Sequence, residues 1–214
     1  MLHMHKLCFS ILLIFGCVPL AAAQSDDSPR AEFFAGYSVL RANYKIEPHD
    51  PNQPVVVAFF GKHTLNGFNV SATGYLTKGF GLTGDFSGHF TTDSVPDQLG
   101  GVFKTKIRVF NILGGPQYKF RNNSRVTPFV RGLAGVAHTR VTLDFPSLNS
   151  NEVAGSTDFA LAIGGGVDVR VNDRIEVRVF QVDYNPIFLR AGNELGLGNT
   201  RADNVRFSFG VVFK

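Results

Sequence analysis

Ser87 and His89 stand two residues apart, and Asp85 lies two residues before Ser87. In an extended segment this spacing puts all three side chains on one face. Serine, imidazole and carboxylate are the set that acyl-transfer chemistry needs: a nucleophile, its base and an acid that orients the base. The same spacing also describes polar residues that simply hydrogen-bond inside a fold, and that plainer reading is favoured, so no catalytic residue is assigned. His63 and His138 show no metal-ligand spacing to His89, and no metal or cofactor is read. Gly164-Gly165-Gly166 opens no helix and is therefore not a phosphate loop. Glycines in such a segment relieve crowding in a curved sheet.

The first 23 residues read as a secretory signal peptide. His3, His5 and Lys6 give a weakly basic start, Leu7 to Leu20 is apolar, and Ala21-Ala22-Ala23 offers a cleavage site before Gln24. The apolar run is too short for a spanning helix, which needs about 20 residues. Ile14-Phe15-Gly16-Cys17 resembles a lipobox, but Phe15 is bulky where such sites prefer a small residue. Cys8 and Cys17 both lie in this segment, so residues 24–214 contain no cysteine and no disulfide.

What must position the remaining residues is a set of strands. The chain has 21 Phe, 5 Tyr, no Trp and 23 Gly, a composition of strands and tight turns, not helices. Charged residues are 18% against 44% apolar, which excludes disorder, and the mild +4 charge has no clustered stripe suited to nucleic acid. From Thr157 to Arg170 a period of two sorts Phe159, Leu161, Ile163, Val167 and Val169 from Asp158, Asp168 and Arg170. Similar alternation marks Asn66–Leu76, Phe80–Phe90 and Val205–Phe213. Less regular strands are read at Ala31–Leu40, Arg108–Phe120, Val126–Arg140 and Arg174–Tyr184, which makes eight. In the seventh, the change of character after Val179 means either a bulge near Phe180 or departure from the hydrocarbon.

Connections alternate between short (Thr77–Gly79, Arg121–Arg125, Asn172-Asp173) and long (Arg41–His63, Thr91–Lys104, Val141–Ser156, Asn185–Asp203). Ten-residue strands with short turns at one end and long loops at the other describe an all-β, eight-stranded antiparallel transmembrane β-barrel, an up-and-down meander over residues 24–214. Its apolar face meets lipid and its mixed face fills a lumen only wide enough for side chains. Asp85, Arg131, Glu176 and Arg178 then fall in the lumen near mid-depth, with Asp85 expected to pair with Arg131 and Glu176 with Arg178. The inverse reading, a soluble lipocalin-like ligand-binding barrel, would have to turn those four charges to water.

Several segments carry a family resemblance: Phe33-Phe34-Ala35-Gly36-Tyr37-Ser38, Gly114-Gly115-Pro116-Gln117-Tyr118, Thr127-Pro128-Phe129-Val130, Ala162-Ile163-Gly164-Gly165-Gly166-Val167-Asp168 and Ser208-Phe209-Gly210-Val211-Val212-Phe213. In order and spacing the chain resembles the eight-stranded outer-membrane barrels related to the OmpA transmembrane domain. The resemblance implies a bacterial outer-membrane location and contact with outer-membrane lipids and lipopolysaccharide. It also implies a last strand, with Gly210 and Phe213, that the barrel-assembly machinery reads. Members usually end on an aromatic residue, whereas Lys214 follows Phe213 here. No periplasmic domain follows the barrel, so peptidoglycan binding is not carried over. The expected role is that of a monomer, structural or interacting through surface loops, and not a wide porin or an enzyme. The alternative is a lipid-modifying barrel of the lipid A deacylase kind, which would use Ser87 and His89. Lys104, Lys106 and Arg108 precede the membrane part of the fourth strand. They read either as a lipopolysaccharide-phosphate rim or as ordinary solvated charges.

Overall fold

The computed structural model describes residues 31–44, 61–96, 102–145, 150–189 and 200–214. The segment read as a signal peptide, residues 1–23, and the tips of the four long connections lie outside the described residues. Eight strands follow in order: β1 (Ala31–Tyr44), β2 (Gly61–Tyr75), β3 (Phe80–Pro96), β4 (Val102–Lys119), β5 (Val126–Phe145), β6 (Ser150–Arg170), β7 (Ile175–Leu189) and β8 (Thr200–Phe213). Each pairs antiparallel with the next, and β1 closes on β8 from Phe33↔Phe213 to Tyr44↔Ala202, so the described strands form a closed barrel. Closure leaves no unpaired edge in the hydrocarbon, where an unsatisfied peptide group costs several kcal/mol.

The alternation read from the sequence sets the two faces of the wall. On β3, Leu82, Phe86 and Phe90 point out, while Thr83, Asp85, Ser87 and His89 are buried in the lumen. On β6, Phe159 and Ile163 point out, and Asp158, Ala160, Ala162 and Asp168 point in. Ile112 at 62% and Ile163 at 60% exposed are large aliphatic side chains on the outer surface, an arrangement that water would oppose and acyl chains favour.

β7 contains a bulge. Arg178 pairs with Gly210 and Gln181 with Ser208, so three steps on β7 match two on β8. Val179 and Phe180 both face outward, and from Gln181 onward odd-numbered residues point into the lumen. Of the two explanations the sequence allows, the bulge is the one present.

All four long connections are shorter than the sequence suggests, those after β3 and β5 by more than half. The β3–β4 ladder continues to Pro96↔Val102 and the β5–β6 ladder to Phe145↔Ser150. Strands β3 to β6 therefore run 17 to 21 residues, against 14 or 15 for β1, β2, β7 and β8. Beyond the membrane level neither face need be apolar, so the alternation that marks a strand in the sequence fades at Thr91-Thr92-Asp93-Ser94 although backbone pairing persists.

Candidate functional site: a charged lumen and a basic outer rim

The lumen is layered along its axis. At mid-depth two carboxylates and two guanidiniums close on one another. Arg131 donates to Asp85 Oδ2 at 3.0 Å, and to both oxygens of Asp183 at 3.0 and 2.7 Å. Arg206 reaches Asp85 Oδ1 at 2.8 Å and Asp183 Oδ2 at 3.1 Å, and also donates to Ser87 Oγ at 2.9 Å. Asn69 and Gln181 donate amide hydrogens to Asp85 and Asp183, at 2.9 and 2.8 Å. All four charged side chains are wholly buried, and their formal charges cancel. Gly164 makes room for this. A Cβ there would lie 2.0 Å from the Val182 carbonyl oxygen and 2.6 Å from Asp183 Oδ1, so only glycine lets β6 lie beside that carboxylate.

Toward the short turns lies a second cluster. Lys119 Nζ sits among Glu32 (2.9 Å), Asp168 (2.9 Å) and Glu176 (2.6 Å). These three carboxylates place oxygens within 4.8 Å of one another, as a metal ion would require, and the Lys119 ammonium supplies the cation. Arg121 donates to Glu32 at 3.0 Å, and Lys214 pairs with Glu176. Contrary to the expectation from the sequence, Arg178 does not pair with Glu176. It grips Asp168 with two bonds of 2.8 and 3.1 Å and donates to Gln181 at 2.7 Å. Its guanidinium lies 4.4 Å from the ring of Phe34 and 4.1 Å from that of Phe129. Two residues apart on one strand, Glu176 and Arg178 point the same way but at different heights, and each meets what the facing strands bring to its level. Asp85 and Arg131 do meet; Glu176 and Arg178 belong nearer the short turns than mid-depth.

The outer layer is mainly aliphatic: Leu40, Leu65, Ile107, Val109, Ala137, Val141, Ala160, Ile187, Leu189 and Ala202 pack together across the lumen, with Thr105, Thr139, Asp158, Asn185 and Asn204 also buried at these levels. Between this layer and the charges sits His89. Its Nε2 shares a hydrogen bond of 2.9 Å with the Ser38 hydroxyl, which is 2.9 Å from Ser208 Oγ. Ser87 bonds Arg206 and Asn111 instead of His89. The Ser87–His89 pair is thus split between two networks, and both residues are fully buried.

Outside the barrel, Lys104, Lys106 and Arg108 alternate with buried Thr105 and Ile107, so all three side chains project from the outer face of β4. His63 turns inward near the outer end and binds Asp93 at 3.1 Å, whereas His138 turns outward and binds Thr157 at 2.8 Å. Gly210 sits at the β1–β8 seam, where a Cβ would meet the Ala35 carbonyl oxygen at 2.3 Å. Phe213 faces outward beside Phe33 and Ile175.

Residues 9–213 match the family model of the outer membrane protein beta-barrel domain. The chain belongs to that family. This outer membrane barrel is accordingly a protein of the bacterial outer membrane. Its fold is shared with Neisserial surface protein A (16% identity, 87% of this chain and 97% of that one, TM-score 0.52). OprG of Pseudomonas aeruginosa is equally similar (16%, 88% and 98%, TM-score 0.51). So is Ail, the attachment invasion locus protein of Yersinia pestis, crystallised with the heparin analogue sucrose octasulfate (16%, 86% and 97%, TM-score 0.50). No curated protein matches the chain.

Proposed function

We propose that this outer membrane barrel is a non-enzymatic, monomeric envelope protein that works through its outer surface and not through its lumen. The observation carrying this reading is the doubly closed interior: a neutral, fully bonded set of two Asp and two Arg at mid-depth, with an aliphatic layer above it. A solute entering from outside would have to break dry packing and then separate buried ion pairs, each of which costs several kcal/mol to expose one-sidedly. Among the described residues, the surface left for interaction is the raised flank of β3 to β6, with Lys104, Lys106 and Arg108 on its outer face toward lipopolysaccharide phosphates. Residues 1–23 serve as the signal peptide. Gly210 and Phe213 in the last strand serve recognition by the barrel-assembly machinery.

The test is conductance combined with lipid analysis. In planar bilayers the purified protein stays electrically silent at neutral pH, and lipid A from cells with and without the protein has the same mass spectrum. Reproducible single-channel steps would make the lumen the working part. A lipid A species that loses or gains an acyl chain with the protein would install the lipid-modifying alternative.

A further inference from the structure

The register of β4 and β5 adds two residues to the outer rim. Arg108 stands directly opposite Arg140, and Phe110 opposite His138. Arg140 and His138 have the same parity as the outward residues of β5 and are exposed, as are Lys104 and Arg108. Directly opposed like charges destabilise a strand pair, and no acid in register relieves this one. The other neighbour of Arg108 is Phe90, and the other neighbour of Arg140 is Gly155. The acids nearest in register, Asp93 opposite Thr105 and Asp158 opposite Ala137, have lumen parity, and the next, Asp144, stands opposite Lys104, four residues farther out.

Depth is set by the aromatic residues just below. Phe90 and Phe110 meet edge-on at 5.5 Å, and Phe86 stacks on Phe110 at 6.3 Å, all on the outer wall. Aromatic side chains gather at the membrane interface, so cations one step farther out stand at headgroup level. Lys106 is two residues beyond Arg108, between Thr92 and Thr142 in register.

We propose that Arg108 and Arg140 form a seat for one phosphate group of an outer-leaflet glycolipid headgroup, flanked by Lys106 and His138. The proposal rests on the surface-interaction reading above and narrows it to a two-strand site. Paired guanidiniums bind a phosphate through several charge-assisted hydrogen bonds, and the anion removes the repulsion that the bare pair suffers. Lys104, four residues beyond Arg108 along β4, contributes least.

The test uses the full barrel in phosphatidylcholine nanodiscs, titrated with phosphorylated and with dephosphorylated lipid A. Correct folding of each variant is verified by altered gel mobility before boiling. R108Q/R140Q is expected to weaken binding of phosphorylated lipid A by at least about tenfold. Removing the phosphates from the lipid should weaken binding to the wild type to a similar degree. One control holds the proposal to its site. R41Q/K62Q removes two exposed cations from the outer wall of β1 and β2 and should change affinity by less than about twofold. An equal loss in R41Q/K62Q would reduce the effect to net charge and overturn the seat. Undiminished binding of dephosphorylated lipid A would do the same. So would full competition by millimolar inorganic phosphate, which would make free phosphate the ligand. None of these outcomes alters the conductance or lipid A mass result, so the seat can fail while the broader reading stands.

Discussion

The two ends of the lumen solve one problem in opposite ways. Both must fill a tube whose wall faces lipid. The outer end does so mainly with Leu40, Leu65, Ile107, Val109, Val141, Ile187 and Leu189, and with a few buried polar groups such as Asp158 and Asn185 among them. The inner end does so with Glu32, Asp85, Lys119, Arg131, Asp168, Glu176, Arg178, Asp183 and Arg206. Aliphatic packing is tolerant, because a displaced methyl finds other methyls. An ion lattice is not, because a carboxylate that loses its guanidinium is left charged and dry. The inner end therefore fixes which residues face one another across the barrel, while the outer end only excludes water.

The sharpest way to break this contrast is to remove Asp183, which holds both Arg131 and Arg206. Asp183→Ala should cost roughly 3–5 kcal/mol of folding free energy into lipid vesicles, read by urea titration. A loss below about 1 kcal/mol would mean that water already reaches the lattice. Next in size is a charge on the wrong side of the wall. Arg at Ile163 or Val167 should cost about 2–4 kcal/mol, and Arg at Phe159 or Val169, nearer the interfaces, clearly less. A flat profile over the four would contradict the depth assigned to β6. In the tolerant outer layer Ile187→Val should cost only about 0.5–1.5 kcal/mol by the same titration. Smallest of all, Arg201→Gln, which loosens the exposed Arg201–Asp203 pair at 2.8 Å, should stay within about 1 kcal/mol. Were Ile187→Val to rival Asp183→Ala, the outer end would be as exacting as the inner one.

The faces of the wall were readable from the sequence, since Phe159, Ile163 and Val167 alternate with lumen residues at the period that strands impose. So was the bulge near Phe180, as one of two possibilities. Contact partners across the lumen were not, beyond the Asp85–Arg131 pair. They depend on how far each strand is displaced along its neighbour, a quantity that turn lengths constrain only loosely and that alternation does not record. Arg178 therefore looked like the partner of Glu176 and proved to be that of Asp168. Lys119, which nothing in the sequence singled out, proved to be the centre of three carboxylates. Arg206 and Asp183 were visible only as polar members of their strands. Arg140 carried no signal at all until register set it opposite Arg108.

Unequal strand lengths give the molecule a front and a back. β6 at 21 residues and β8 at 14 differ by about 20 Å measured along the strand. A barrel with a level brim would look alike to neighbours from every direction. The described strands here rise as a parapet on one flank and a low sill on the other, so turning the barrel about the membrane normal changes what an approaching molecule encounters. Lateral orientation, which a symmetric pore could ignore, becomes part of how it is recognised.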